Sequence, residues 1–241
     1  MYKSARSFTK MCRTGFLVAT LLAIVLAATL ALADGGGNVM PATAKPHGYS
    51  LDDMTVKMAP FQTSGNNMAF YPKTPFQILY MAAFNPPVSF SCPDNKGVGI
   101  LFQGTNSFMV TSGTPFFVPL WAADDSPPVL PPFPIHASMA GDYFFDPALV
   151  GARDTVVIVD GQTTTLDKDY VGYAYFADAL PNSAHGIVLL GAFLTPMSVG
   201  THTVTIKGTI AGDGVLTYWG APCYAEDYSY LVKVVPGKSG K

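Results

Sequence analysis

Thr201-His202-Thr203-Val204-Thr205-Ile206-Lys207-Gly208 is the stretch that decides the fold class. Thr201, Thr203, Thr205 and Lys207 take alternate positions, and His202, Val204, Ile206 and Gly208 take the others. A period of two over eight residues places one set on each face of a β-strand, expected over Thr201–Ile210. Upstream, Asp154–Asp160 reads Asp-Thr-Val-Val-Ile-Val-Asp and runs straight into Gly161. An Asp-Gly pair after a β-branched run is a hairpin signal, because the tight turn needs positive φ at both central residues. Gln162–Leu166 is the expected return strand.

Further strands are expected over Tyr170–Phe176, Ile187–Phe193, Tyr228–Val235 and Pro115–Leu120. Val98–Gln103 and Phe108–Thr111 read as two more, around Gly104-Thr105-Asn106. Val215–Trp219 reads as a short strand after the Gly212-Asp213-Gly214 turn. Glu226 is the one glutamate, against fifteen aspartates, and the chain holds 23 glycines and 20 prolines. Turns use Asp, Gly and Pro, whereas helices favour Glu. The expected fold is therefore all-β: an antiparallel β-sandwich, immunoglobulin-like or jelly-roll-like, with one or two short helices. Ser50-Leu51-Asp52-Asp53 is a capping box that starts one helix toward Ala59. Asp146-Pro147 starts a turn or two through Val150.

The first 33 residues read differently. Lys3, Arg6, Lys10 and Arg13 precede an apolar run from Phe16 to Ala33, which closes on Ala31-Leu32-Ala33 before Asp34 and three glycines. This is the pattern of a signal peptide with a small-x-small cleavage site. The run is also long enough for a retained anchor. The expected organisation is a signal peptide at 1–33, a flexible segment at 34–44, one sandwich domain at 45–236 and a tail at 237–241. Two small β-domains divided at the proline-rich loop are the alternative. Cleavage leaves ten basic and sixteen acidic residues, a net charge of −6. Such a chain, with no basic cluster, is a poor partner for nucleic acid or an anionic membrane.

Cys12 falls in the leader; Cys92 and Cys223 remain. In an oxidising compartment an even pair reads as a disulfide, with two free thiols as the alternative. Neither has a second cysteine or histidine at metal-ligand spacing.

The order of several segments resembles a family of uncharacterised secreted bacterial proteins. Gly48-Tyr49-Ser50, Asn85-Pro86, Cys92 and Gly97–Thr105 match its first half, and Val110–Pro119 its next segment. Val159-Asp160-Gly161 and Leu194-Thr195-Pro196-Met197-Ser198-Val199-Gly200-Thr201-His202-Thr203 match its end. Where the family has Glu-Trp after the Gly-x-Ser, this chain has Asp53-Met54. The resemblance implies secretion and a β-rich fold, and no chemistry.

No compact catalytic motif is present. Gly-x-Ser-x-Gly, His-Glu-x-x-His, a Walker-type loop and Gly-x-Gly-x-x-Gly are all missing from the sequence. Asp124-Asp125 and Glu226-Asp227 offer oxygens without the spacing of a calcium loop. No cofactor or metal is expected. His202 shares its face with Val204 and Ile206, which makes it either a hydrogen-bonded core histidine or a general base.

Binding is the stronger expectation. Ser126–Pro134 packs five prolines into nine residues, so it is a stiff loop without the donors of a central strand. It lies in the irregular stretch Ala122–Asp146, which is either a partner contact or a cover for one end of the core. Candidate binding residues are Asp124, Asp125, Phe133, His136 and Tyr143 on that stretch, with Tyr173, Tyr175 and Trp219 elsewhere. The expected function is that of an exported non-catalytic protein acting in binding or in an envelope or extracellular assembly. Its partner would be a protein or a carbohydrate, with a membrane met only through residues 1–33. The alternative is a secreted hydrolase whose His and Asp residues meet in space.

Overall fold

The computed structural model describes residues 38–81 and 85–237. The expected leader at 1–33 and the tail from 238 lie outside the described residues. The described residues form one compact unit. Its strands are β1 (Gln77–Ile78), β2 (Val88–Ser91), β3 (Val98–Thr111), β4 (Phe116–Asp124), β5 (Ala152–Val159), β6 (Gln162–Thr165), β7 (Val171–Tyr175), β8 (Gly186–Leu194), β9 (Gly200–Ile210) and β10 (Tyr224–Val235). Among the described residues three α-helices accompany them: α1 (Leu51–Thr63), α2 (Ala137–Phe145) and α3 (Asp213–Trp219). The strands form two sheets, ordered β1-β4-β8-β7 and β2-β3-β10-β9-β5-β6. This is the expected β-sandwich with short helices.

The alternation in Thr201–Ile210 predicts its two faces. Val204, Ile206, Gly208 and Ile210 are buried between the sheets, while Thr201, Thr203 and Lys207 face out. Val118, Leu190, Ala192 and Leu194 of the small sheet join Val157, Val204, Ile206, Tyr230 and Val232 of the large one in the main core. The Asp160-Gly161 turn has positive φ at both residues, 48° and 84°, as a tight hairpin requires.

Strand β8 is buried at every position from Gly186 to Leu194. The cause is α1, whose Leu51, Met54, Met58 and Phe61 pack on Ile78, Phe117, Leu189 and Phe193. The small sheet thus has the large sheet on one face and a helix on the other, so its central strand reads as an unbroken apolar run. The capping box is formed: Ser50 Oγ accepts from Asp53 N, and Asp53 Oδ2 accepts from Ser50 N.

Several local expectations change. Val98–Thr111 is one continuous strand, because pairing with β10 from Ile100↔Tyr224 to Thr111↔Val235 carries the backbone through Gly104-Thr105-Asn106. That pairing is parallel, as is β1 with β4, so the sheets are mixed. Side-chain periodicity is blind to strand direction. Asp213–Trp219 is helix α3 rather than a return strand. Ala137–Phe145 is helix α2, which the sequence did not announce; Asp146 N ends it by donating to Asp142 O, and Asp146 then caps the expected turn through Val150, its Oδ1 accepting from Ala148 N and its carbonyl from Leu149 N. The segment expected to be flexible is docked from Asn38. Val39, 5% exposed, bridges Leu194, and Thr195 N donates to Asn38 O, because β7 stops short and leaves that edge of β8 open.

Cys92 and Cys223 form a disulfide with Cα atoms 5.9 Å apart. It joins the end of β2 to the entry of β10, and Cys223 O accepts from Ile100 N of the strand between them.

Candidate functional site

The register pair Tyr224↔Ile210 marks the end of the large sheet where β9 stops and β10 begins. There Trp121 and Ala122 of β4, Phe144 of α2, Val150, Ile210, Trp219 of α3 and Tyr224 line an open pocket of about 210 Å³. Both tryptophans of the chain meet in it. Each wall has a local reason. Trp121 follows a register shift in β4, where the pairing with β8 jumps between Pro119 and Trp121; such a bulge re-aims side chains. Trp219 closes α3, which is stopped by Gly220 in the left-handed conformation. Tyr224 stacks on Phe102 with centroids 6.2 Å apart and donates its hydroxyl to the Trp219 carbonyl. That bond ties the start of β10 to the end of the helix.

Among the described residues no lining side chain is charged. The Trp121 indole crosses Gly208, where a β-carbon would stand 3.0 Å from its Nε1. Any larger residue at 208 would displace the ring. Trp121 Nε1 is buried and has no hydrogen-bond partner among the described residues. The chemistry on offer is stacking and apolar contact for one ring-sized guest.

The candidate binding residues scatter. Trp219 is half-buried in the pocket wall. Tyr143 is 3% exposed in the core, donates its hydroxyl to Leu130 O and meets Phe133 edge-on at 5.2 Å. Burial drives its phenol well above the ordinary range. Tyr143 is therefore out of reach of a partner, because the proline loop folds over it. Phe133 also packs against Gly186. Asp124 accepts from Ser126 N, Ser126 Oγ and Asn182 Nδ2, and Asp125 Oδ1 accepts from His185 N at 2.7 Å. Both carboxylates hold loops together. His136 is exposed at the start of α2. Tyr175 is 67% exposed on β7 and stacks on His185 at 6.2 Å; Tyr173 N donates to Asp52 of α1. These tyrosines sit on the small sheet, whereas Trp219 sits on the helix between β9 and β10, so they do not form one row.

Sequence reading passed over Trp121 and Phe144. The one signal for Trp121 was rarity, since the chain has two tryptophans.

A second arrangement brings His202, Asp160 and Ser198 together. His202 Nδ1 is 2.6 Å from Asp160 Oδ2, and its Nε2 is 2.9 Å from Ser198 O and 3.5 Å from Ser198 Oγ. The residue types are those of a hydrolase triad, but the geometry is that of a clamp. Both ring nitrogens point at acceptors, so both carry protons in the favoured state. The Asp160 bond raises the imidazole's pKa, and the Ser198 carbonyl adds to that against the opposing effect of burial. A general base needs a free Nε2 lone pair facing the nucleophile.

No known family matches this chain. No curated protein and no solved structure matches it either.

Proposed function

We propose that this chain is an exported, non-catalytic β-sandwich that works by binding, and that the two-tryptophan pocket receives one uncharged ring, aromatic or carbohydrate. The observation that carries the reading is the convergence of Trp121, Trp219, Tyr224 and Phe144 on one open pocket without a charged wall. A ring of either kind buries apolar surface there without leaving an ion unpaired. Export rests on the leader-like residues 1–33 and fits the Cys92–Cys223 disulfide.

Titration of the full chain with p-cresol and with methyl β-glucoside, followed by tryptophan fluorescence, tests the pocket. One of the two should give a saturable change that Trp219→Ala removes while far-UV circular dichroism stays the same. No saturable change with either probe refutes the reading. The hydrolase alternative draws on the Asp160–His202–Ser198 arrangement. It requires that Ser198→Ala abolish a measurable esterase activity, whereas the clamp reading expects Ser198→Ala to alter stability alone.

A further inference from the structure

A second cavity lies on the opposite flank of the β4 register shift. It measures about 60 Å³ and is lined by Gln62 and Asn66 from the end of α1, Tyr80, Glu226, Tyr228 and Tyr230, with Pro119 and Leu120 of the shifted stretch. Glu226 faces inward because it shares one face of β10 with the buried Tyr228 and Tyr230. Its Oε2 is closed off from solvent and has no hydrogen-bond partner among the described residues. A buried carboxyl oxygen without a partner is costly, and one facing a sandwich core calls for an explanation.

We infer that this cavity is a binding site for a primary ammonium group, with Glu226 as its counter-ion. The lining selects that class. Among the described residues its lining has no lysine or arginine, so an anion has nothing to meet. It has one carboxylate among them, too few for a divalent cation, which gathers six to eight oxygen ligands and several charges. Phenol rings and amide oxygens suit a monovalent cation through cation–π attraction and hydrogen bonds. The rings continue outward, with Phe61 against Tyr80 at 5.4 Å, Tyr80 against Phe108 at 5.8 Å and Phe108 against Tyr230 at 6.0 Å. The volume takes an ammonium and a carbon or two, not a ring. Burial holds the Glu226 carboxyl well above the ordinary range, so the empty site keeps a proton there. When the ammonium enters, that proton leaves to solvent and the ion pair takes its place. The inference is independent of the tryptophan pocket.

Glu226 is the one glutamate of the chain, so protein labelled with carbon-13 at the glutamate carboxyl gives a single reporter. The experiment first locates its titration midpoint, then adds methylammonium chloride to the full chain below that midpoint. The expected result is a saturable move of the resonance to its carboxylate position. No movement overturns the inference, and so does an equal movement with sodium chloride or with acetamide, which would mean a general salt effect or a neutral guest. Nα-acetyllysine methylamide separates the sources. If it acts as methylammonium does, a partner's lysine reaches the cavity; if methylammonium alone acts, the guest is a small free amine. Glu226→Gln, followed through the backbone amides of β10, should lose the saturable shift. If that variant does not fold, the titration of the unaltered protein decides.

Discussion

His202 Nδ1 lies 2.6 Å from Asp160 Oδ2 and joins β9 to the turn of the β5–β6 hairpin. Asp160 Oδ1 also accepts from Thr203 N at 2.8 Å. Burial pushes the Asp160 carboxyl up, but the bonds from His202 and Thr203 outweigh it and leave its pKa lowered. The His202 imidazole is raised above 6.5. A raised histidine contributes stability that is complete below its unfolded value and fades as pH climbs through the folded one. A lowered aspartate contributes above 3.8, and that part is lost as pH falls through its folded value. The clamp should therefore stabilise most in mildly acidic solution. Asp160 is 47% exposed, so the contribution is about 1 kcal/mol or less. Urea unfolding of His202→Gln should lack the decline in stability expected of the native chain as pH rises above 6.5.

Opening the Cys92–Cys223 bridge should cost about 2–5 kcal/mol, since it closes a long loop in the unfolded chain. The bonded residues are 131 apart in sequence. Urea midpoints of the Cys92→Ser/Cys223→Ser double variant, set against the native chain, measure this. An unchanged midpoint would mean that β2 and β10 hold the register without the bond.

Leu130 of the proline loop, 2% exposed, presses on Gly214 of α3, where any β-carbon would collide with it. The loop therefore covers the end of the core through Leu130 and the buried Pro134. Leu130→Ala should destabilise by about 2–5 kcal/mol, as a large-to-small change in a core does. Replacing Pro127–Pro134 by a Gly-Ser linker should prevent cooperative thermal unfolding altogether. A linker variant that still folds would return the loop to the role of a partner contact.

Ser50→Ala removes the oxygen that accepts from Asp53 N at the start of α1. The expected loss is about 1 kcal/mol, read as a lower thermal midpoint. Because α1 covers Leu189 and Phe193, amide exchange in β8 should speed up in the same variant.

Local chemistry was legible in the sequence wherever one residue dictates its own backbone. The β-branched alternation of Thr201–Ile210, the Asp160-Gly161 turn and the Ser50–Asp53 cap act over a few residues, so their signals stand in the chain itself. The apolar run Ile187–Leu194 announced a buried strand for the same reason. What covers that strand did not appear in it. Helix α1 over the small sheet, the parallel pairing of β3 with β10 and the docking of Val39 beside Leu194 depend on residues far apart, and a period of two is the same for either strand direction. The pocket is of that kind. Trp121, Phe144, Trp219 and Tyr224 are brought together by a register shift, two helices and the end of a strand pair, none of which marks its partner in sequence. Glu226 looked like half of an exposed acidic pair with Asp227. Only the tertiary structure turns it inward, because alternate side chains of β10 face the core and the pleat puts neighbours on opposite sides.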